Sequence, residues 1–391
     1  MDNVKVGIIG VGNIGFGHAH SLYSGAIDGF TLAALCDINT DLKKSFDEKY
    51  PGVPYYSDAD EMLEKADIEA VIVAVPHPLH GVMGIKAFEH GKHVLVEKPI
   101  DISLSRGTAL CNAARKSGKK FAVMFNQRTN KLFKMAREIV QGGQLGELKR
   151  SVWIITNWYR TQKYYDSGTW RATWAGEGGG VLVNQAPHQF DMWQWICGMP
   201  VQVTGFCDIA KYHDIEVEDN ATLHVRFKNG AEGVFITTTG EFPGTNRLEI
   251  TGSLGKLVLE GGVLKWWKLK ADDRDIIKTA TTSEGYVEHE YIEIPDEPAK
   301  NQHRMVLQNF ADAIRFDTPL VAPGYEGINA LTIQNAAYLS QWKGSIPIDL
   351  PFDTDEYDRL LEERKKTSKY VPAHMMPEQK TEYRDRWQVN W

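Results

Sequence analysis

Apolar residues in the first 125 positions occur in short runs that alternate with amphipathic stretches. The apolar runs predict strands and the intervening stretches predict helices. Strands are predicted at residues 4–9, 32–36, 69–75, 93–97 and 120–124, and helices near 41–49, 59–65, 79–90 and 103–117. Such alternation is typical of an α/β fold with a doubly wound parallel sheet, whose ligands bind beyond the carboxyl ends of the strands.

The pattern changes near Gly146, where longer strand-like runs begin, separated by turn signals such as Asn229-Gly230 and Gly261-Gly262. These features predict antiparallel hairpins. The predicted strands are 148–157, 201–208, 220–227, 233–239, 247–251 and 256–259. Two later helices, near residues 303–316 and 326–342, are expected to cover one face of the sheet and to return the chain toward the first domain.

The pattern therefore predicts an N-terminal Rossmann domain over residues 1–125 and a substrate-binding and oligomerisation domain over residues 126–350. The second domain is expected to be α/β with a large, mainly antiparallel open sheet. Residues 351–391 form a charged tail. This tail is either a surface arm or a segment that docks on a neighbouring subunit through Tyr370, Trp387 and Trp391, since exposed aromatic side chains usually seek cover.

The first strand runs directly into a glycine motif that predicts a dinucleotide site. Gly10 permits the tight turn, Gly12 lets the backbone approach a pyrophosphate, and Gly15 lets the helix pack on the strand. The pyrophosphate is expected on the helix N-terminus, where Asn13 and Ile14 lie between the last two glycines. Asp37 ends the second strand, where its carboxylate would bind the adenosine ribose hydroxyls and repel a 2′-phosphate. NAD is therefore favoured over NADP.

Composition changes this interpretation little. The 391 residues are 42% hydrophobic and 24% charged, enough for two ordinary cores, and the net charge of -7 gives no basic footprint for nucleic acid. The four cysteines show no metal-binding spacing and are expected to be free thiols in a reducing compartment. No long apolar run or signal-like N-terminus is found, so we expect a cytoplasmic protein. His18 and His20 lack partners at metal-ligand spacing, so no metal is expected.

Three motifs together resemble the Gfo/Idh/MocA oxidoreductases, which include glucose–fructose oxidoreductase and inositol dehydrogenase. They are the glycine motif from Gly10 to Gly15, Glu97-Lys98-Pro99 after the fifth strand, and the segment from Gly178 through Asn184 to His188. The match runs in order from residue 4 to about 350. It implies a nicotinamide-dependent enzyme that oxidises or reduces a hydroxyl or ketone on sugars, cyclitols and related compounds.

The resemblance identifies Lys98 as the family's catalytic lysine, close to the nicotinamide and the reacting hydroxyl. A lysine beside a bound cofactor can be desolvated, which lowers its pKa toward neutrality and lets it transfer a proton. The alternative is a solvated surface lysine. Pro99 restricts the backbone of Lys98, and Glu97 either orients Lys98 beside the cofactor or only ends the strand.

His188 is the second catalytic candidate, with a satisfied helix histidine as the alternative. Family members often carry an acid four residues before this histidine, but this chain has Asn184. An amide can hold a hydroxyl or an imidazole but carries no negative charge. Asn184 is thus either a catalytic-site residue or only the N-cap of the following helix, with Pro187 in its first turn. Asp191 is expected to be supporting or structural.

Further contacts are predicted by position. Pro76 and His80 follow a core strand and match a family loop that passes along the cofactor, unless they only initiate a helix. Gln127, between Asn126 and Arg128, follows the strand that ends at Met124 and is a candidate cofactor contact. Aromatic and arginine side chains suited to a polyhydroxylated substrate, or else to a core, are Arg128, Trp158, Arg160, Trp170 and Arg171.

These residues predict an NAD-dependent oxidoreductase in which Lys98 and His188 transfer the proton. Sugars or glycosides, including those oxidised to a 3-keto sugar, are the leading substrates, followed by inositols. The alternative of a different class is an NAD-binding regulator without turnover, which Asn184 keeps open. A homo-oligomer is expected because a large open sheet needs its outer face covered.

Overall fold

The computed structural model describes residues 2–297 and 301–370. Its first half contains the elements β1 (Val4–Ile9), α1 (Asn13–Tyr23), β2 (Phe30–Cys36), α2 (Leu42–Lys49), β3 (Tyr55–Tyr56), α3 (Ala59–Lys65), β4 (Ala70–Val73), α4 (His80–Glu89), β5 (His93–Val96), α5 (Leu104–Ser117) and β6 (Phe121–Val123). These strands form one parallel sheet in the order β3-β2-β1-β4-β5-β6. The strand order reverses between β1 and β4, which creates the crevice where such sheets bind ligands.

The second half is built on a nine-stranded sheet in the order β14-β13-β12-β11-β7-β10-β9-β8-β15. Its elements are α6 (Lys131–Gln141), β7 (Leu148–Ile155), α7 (Gln162–Tyr165), α8 (Val181–Asn184), α9 (Pro187–Cys197), β8 (Gln202–Ile209), β9 (Glu218–Arg226), β10 (Glu232–Thr238), β11 (Asn246–Gly252), β12 (Gly255–Glu260), β13 (Val263–Leu269), α10 (Asp273–Thr279), β14 (His289–Pro295), α11 (Gln302–Phe316), α12 (Gly327–Trp342), β15 (Ile348–Asp349) and α13 (Thr354–Lys365). Among the described strands of this second sheet, only β7 and β10 pair in parallel. The predicted fold class is confirmed.

Local sequence explains these elements well. The four core strands of the first sheet carry apolar residues on both faces because helices cover both sides. In β7, buried Ser151, Trp153 and Ile155 alternate with half-exposed Val152 and Ile154, so only one face of the second sheet meets the core.

Helix α11 carries the chain back to the first domain. Its residues Val306, Leu307 and Phe310 are buried in the same apolar cluster as Val4 and Phe30 of the Rossmann sheet. The rings of Phe30 and Phe310 meet edge to face with their centroids 5.9 Å apart. Part of the second half of the chain therefore closes the core of the first.

Residues 351–365 differ from the predicted arm, because α13 is folded onto its own chain. Tyr357 is 1% exposed, its hydroxyl donates to the carbonyl of Ile102 at 3.2 Å, and its ring stacks on Trp342 at 5.2 Å. Asp358 accepts hydrogen bonds from Ser103 and Ser105 at the start of α5. Tyr370 is half-buried, and Trp387 and Trp391 lie outside the described residues.

The described residues include no helix that is both long and apolar enough to cross a bilayer. All four cysteines are free, and three of them, Cys36, Cys111 and Cys207, are buried. Burial raises the pKa of the Cys36 thiol to about 12 and that of Cys111 to about 11. Thiols that stay protonated are poor nucleophiles, which fits packing rather than chemistry.

Because Tyr357 fills the seam between α5 and α12, we expect Tyr357→Ala to lower the free energy of unfolding by about 3 to 5 kcal/mol, the usual cost of truncating a buried aromatic side chain. Urea unfolding followed by tryptophan fluorescence measures the change. The matched control is Tyr286→Ala, since Tyr286 is 75% exposed. Equal stability of the two variants would contradict the docking of α13.

Candidate functional site

The glycine loop after β1 has the geometry that the motif predicts. Gly10 adopts a φ of +89°, and a Cβ there would meet the backbone of Ala74 after β4. A Cβ on Gly15 would overlap the carbonyl oxygen of Gly10, so α1 approaches the strand more closely than any larger residue allows. The loop therefore lies at the crevice between β1 and β4.

Helix α1 begins at Asn13 with Gly12 as its N-cap, and no side chain of the described residues caps it. Ile14 in the first turn is 39% exposed. The first backbone N–H groups of α1 are thus available to an anion, and the helix dipole favours negative charge at this end.

Asp37 lies directly after β2, beside this loop. Its two carboxylate oxygens accept hydrogen bonds from the backbone N–H groups of Val11 and Asn39, each at 2.9 Å. The carboxylate is only half-buried, so it retains lone pairs for further donors. A glycine loop, an uncapped helix N-terminus and a fixed acid at the next strand end together fit the pyrophosphate and ribose of a dinucleotide.

His80, a predicted cofactor contact, has both ring nitrogens next to backbone carbonyl groups. It is 1% exposed, and its ring nitrogens lie 2.6 Å from the carbonyl oxygen of Pro99 and 2.8 Å from that of Val75. These contacts tie the loop after β4 to the loop after β5. Pro76 caps the short helical turn His77–Leu79, whose buried His77 meets the Trp170 ring edge to face at 5.9 Å.

The carboxylate of Glu97 also has a hydrogen-bond partner within the protein. It is 5% exposed and its Oε1 lies 2.8 Å from Nε2 of His18 on α1. Burial alone would raise the pKa of Glu97, but the hydrogen bond and positive charge of His18, with His303 and Lys98 nearby, lower it to about 2. The Glu97 carboxylate therefore stays ionised and links the end of β5 to the nucleotide-binding helix.

Lys98 lies where the two domains meet. Its Nζ donates to the backbone carbonyl of Asn184, the last residue of α8, at 2.9 Å. Burial lowers the pKa of Lys98 and Arg171 lowers it further, whereas Glu97 and Glu177 raise it. A lysine whose pKa is lowered in this way can exist as the neutral amine that accepts a proton.

His188 lies in the first turn of α9, which starts at Pro187. The imidazole meets the Phe125 ring edge to face at 6.2 Å, and its buried Nδ1 has no hydrogen-bond partner in the described residues. Burial lowers the pKa of His188 well below its usual value, and the nearby charge of Lys98 lowers it further. His188 is therefore a neutral group beside Lys98.

Asn184 is not the N-cap of α9, because the cap position belongs to Ala186. The amide nitrogen of Asn184 instead donates to Glu177, a residue that the sequence analysis missed. Tyr164 is a second residue that the sequence analysis missed. Its hydroxyl lies 3.4 Å from the Asn184 amide nitrogen and accepts a hydrogen bond from Arg171 at 2.9 Å. Neither Glu177 nor Tyr164 belongs to a recognisable motif; only their nearness in sequence to Arg160, Trp170 and the glycine run could have suggested them.

The predicted aromatic and arginine side chains fall into two groups. The Arg171 guanidinium lies over the rings of Tyr164 and Trp170 at 4.6 Å and 4.5 Å, and Arg160 lies over Tyr164 at 5.0 Å. This group is adjacent to Asn184. Trp158, by contrast, packs against the main core of the second domain, and its buried Nε1 has no hydrogen-bond partner in the part of the chain that the structure describes.

Arg128, a predicted substrate contact, forms ion pairs within the protein. It is 1% exposed and pairs through two hydrogen bonds with Asp191, which is fully buried, and also with Glu326. This ion pair is the structural role expected of Asp191. Gln127 lies in the same short turn, where its Oε1 accepts from Gln189 at 3.4 Å.

Comparison with known proteins decides the family. The model described as "Oxidoreductase family, NAD-binding Rossmann fold" matches residues 4–125, and the GFO/IDH/MocA C-terminal domain model matches residues 133–258, so together they match more than half of the chain. The chain belongs to the Gfo/Idh/MocA oxidoreductases. It is an NAD-binding enzyme of this family, as the glycine loop and Asp37 predicted.

Individual members of the family are similar over most of their length. The chain is 26% identical to myo-inositol 2-dehydrogenase of Thermotoga maritima over 340 residues, which cover 85% of this chain and 95% of that protein. It is 26% identical to scyllo-inositol 2-dehydrogenase (NAD(+)) of Bacillus subtilis over 66% of this chain and 73% of that one. The WlbA dehydrogenase of Chromobacterium violaceum, solved with NADH and UDP-GlcNAcA, superposes with a TM-score of 0.76 at 26% identity, covering 90% and 97% of the two chains.

If Asp37 holds the adenosine ribose, Asp37→Ala should weaken NADH binding by about 10- to 100-fold, the value of a hydrogen-bonded charged group. The loss for NADPH should be smaller, because the same change removes repulsion of the 2′-phosphate. Titration of nicotinamide fluorescence measures both affinities without a substrate. Asp41→Ala, at an exposed acid in the same loop, is the control, and an equal loss there would contradict the assignment.

Proposed function

We propose that this enzyme oxidises a secondary hydroxyl of a sugar, glycoside or cyclitol with NAD, or reduces the corresponding ketone. The observation that carries the proposal is the placement of Lys98, which follows a Rossmann strand near the nucleotide loop and contacts α8 of the other domain. The names of the similar proteins, two inositol dehydrogenases and a dehydrogenase solved with a nucleotide sugar, support this substrate class.

Proton transfer is assigned to Lys98. When bound, NAD supplies the hydride acceptor. During oxidation the carbinol carbon gives up its hydride and the neutral Lys98 amine takes the hydroxyl proton, so a ketone and an ammonium group result. His188 stays neutral because it is buried beside Lys98, so it can hold the substrate oxygen by a hydrogen bond or pass the proton onward.

Asn184 and Arg171 are proposed to bind the substrate. The nitrogen of the Asn184 amide is committed to Glu177, which leaves its oxygen as an acceptor for a hydroxyl. The face formed by Trp170, Tyr164 and Arg171 combines aromatic surface with a guanidinium, which suits the C–H face and hydroxyls of a sugar ring. Arg128 and His80 are left out of the site because their polar atoms already have partners within the protein. Trp158 is left out because its ring packs against the core of the second domain.

Oxidation of a sugar or glycoside, including formation of a 3-keto sugar, is the first substrate proposal, and oxidation of an inositol is the second. A regulator without turnover is not supported, because the family matched is one of oxidoreductases and Lys98 and His188 are both present. A panel of free sugars, glycosides and inositols, followed by NADH absorbance, separates the two substrate proposals.

We expect Lys98→Ala to reduce turnover on the active substrate by about 100-fold or more, since general acid–base groups contribute this much, while NADH affinity changes little. Lys116→Ala, at an exposed position on α5, is the matched control. Unchanged turnover in Lys98→Ala would exclude Lys98 as the proton acceptor.

The lowered pKa of Lys98 also fixes the direction of the pH dependence. Oxidation needs the neutral amine, so kcat for oxidation should rise with pH to a plateau whose midpoint lies below 10.5, the usual value for lysine. Ketone reduction needs the ammonium form, so its rate should fall over the same interval. Rate profiles in both directions test this, and midpoints that do not coincide would argue against a shared group.

Homo-oligomers are proposed to form through the outer face of the large sheet. Val152 lies beside Val234 and Ile154 beside Ile236 in register, and all four are half-exposed on the face that points away from buried Trp153. An apolar strip of this kind on an open sheet favours burial against a second copy.

Sedimentation velocity should therefore show a dimer or larger assembly. Ile236→Glu should shift the protein toward monomer, because the carboxylate would have to be desolvated in the interface. Ile277→Glu, at a position 75% exposed on α10, should leave the assembly intact. A monomeric wild type would refute this interface.

A further inference from the structure

We propose that Glu177 supplies the carboxylate of the active site, in place of the acid that position 184 lacks, and acts as a positioning residue through Asn184 and Lys98. This inference deepens the proposed function and rests on it. Asn184 takes no part as an acid here; it serves as the connector between Glu177 and the substrate.

The contacts of Glu177 are specific and almost fully enclosed. The side chain is 1% exposed. Its Oε1 accepts a hydrogen bond from the amide nitrogen of Asn184, and its Oε2 accepts from the backbone N–H of Ala172 at 2.5 Å. Each oxygen therefore has a donor, which offsets part of the cost of burying the group.

The bond to Asn184 fixes the orientation of the amide. While Glu177 is ionised it only accepts hydrogen bonds, so it holds the amide nitrogen and the amide presents its oxygen to the rest of the site. Because the backbone carbonyl of the same residue accepts from Lys98 Nζ at 2.9 Å, one residue links the carboxylate to the proton-transferring amine. Glu177 thus determines which atom Asn184 offers to a hydroxyl.

The charge of Glu177 acts on Lys98 as well. The charged and titratable groups around Lys98 are Glu97, Glu177, Arg171 and the histidines His77, His80, His188 and His303. Both acids raise the pKa of Lys98, Glu97 more than Glu177. Glu97 is paired with His18, whereas Glu177 interacts with Arg171 on the proposed substrate side. Burial raises the pKa of Glu177 to about 7, so its charge responds to pH in the range where the enzyme would operate.

A purely structural role is the competing explanation, since Glu177 also holds the loop at Ala172. Glu218 provides a close comparison. It is fully buried, accepts from the N–H groups of Gly180 and Leu182 at the start of α8, and burial raises its pKa to about 7. It does not contribute to the pKa shift of Lys98. Glu218 therefore matches Glu177 in burial and loop support but not in contact with the site.

The deciding experiment measures the pKa of Lys98 without any substrate. The rate at which an amine-reactive acylating reagent modifies Lys98 is followed against pH by peptide mass spectrometry in the full-length protein. In Glu177→Gln the midpoint should fall by about one pH unit, the effect expected of removing one nearby opposite charge. Glu218→Gln should leave the midpoint at the wild-type value even if it lowers thermal stability.

Glu177→Asp keeps the charge, so it should retain a midpoint near wild type, and it replaces Glu177→Gln as the informative variant if the latter does not fold. If Glu177→Gln lowers stability but leaves the Lys98 midpoint unchanged, the residue only supports the loop and the inference is wrong. The same holds if Glu177→Asp shifts the midpoint as Glu177→Gln does.

A second test moves the negative charge from position 177 to position 184 and measures turnover of the substrate that the panel identifies. At a pH above the Lys98 midpoint, Glu177→Gln should lower kcat for ketone reduction by about tenfold, because a Lys98 pKa that is one unit lower leaves about tenfold less of the ammonium form, with a smaller change in KM. Adding Asn184→Asp to Glu177→Gln should recover most of that loss, whereas Asn184→Asp alone places two carboxylates in contact and should be less active. Strictly additive losses would overturn the inference. Absence of turnover in the wild type would instead refute the proposed function, while the Lys98 titration would still test the coupling.

Discussion

The contact between Lys98 and the backbone of Asn184 is the constraint on which the site depends. It joins the end of a Rossmann strand to a four-residue helix of the other domain, at 2.9 Å. The nucleotide loop lies on one side of this contact and the proposed substrate site on the other. Because the acceptor is a backbone carbonyl, the contact does not depend on which side chain stands at position 184.

Buried carboxylates organise the surroundings of this contact, and each has a different set of donors. Glu97 is paired with His18 and stays ionised, with a pKa of about 2. Glu177 and Glu218 accept mainly from uncharged amide and hydroxyl donors, and burial raises the pKa of each to about 7. The same functional group thus provides a fixed charge beside the nucleotide helix and titratable charges near the substrate loop, because an ion pair offsets desolvation more fully than neutral donors do.

Features encoded by neighbouring residues could be predicted, and features that depend on long-range contacts could not. Gly10, Gly15 and Asp37 belong to a motif in which spacing alone defines the geometry. The alternation of apolar runs with amphipathic stretches likewise predicted the doubly wound parallel sheet. Arg128 follows a strand end, where ligands usually bind, yet its guanidinium pairs with Asp191 of α9, which no local pattern indicates. Helix α13 is encoded locally, by an aspartate at the N-cap position and by apolar residues one turn apart. Asp353 accepts from the N–H groups of Asp355 and Glu356, and Tyr357 and Leu361 are the buried pair.

Asn184 stands where members of the family often carry an acid, and this difference changes how charges are balanced in the site. Arg171 and Lys98 place positive charge on the substrate side, and an apolar site without a compensating acid would hold Lys98 strongly neutral. Such a lysine would be neutral but a weak base, and its ammonium form would be too rarely populated to donate in the reverse reaction. In the proposed site Glu177 acts through Asn184, so the compensating charge is kept while the group that would face the substrate is a neutral amide. A hydroxyl bound at Asn184 would then not have to be desolvated against a carboxylate, and Lys98 would keep a pKa at which it can transfer a proton in both directions.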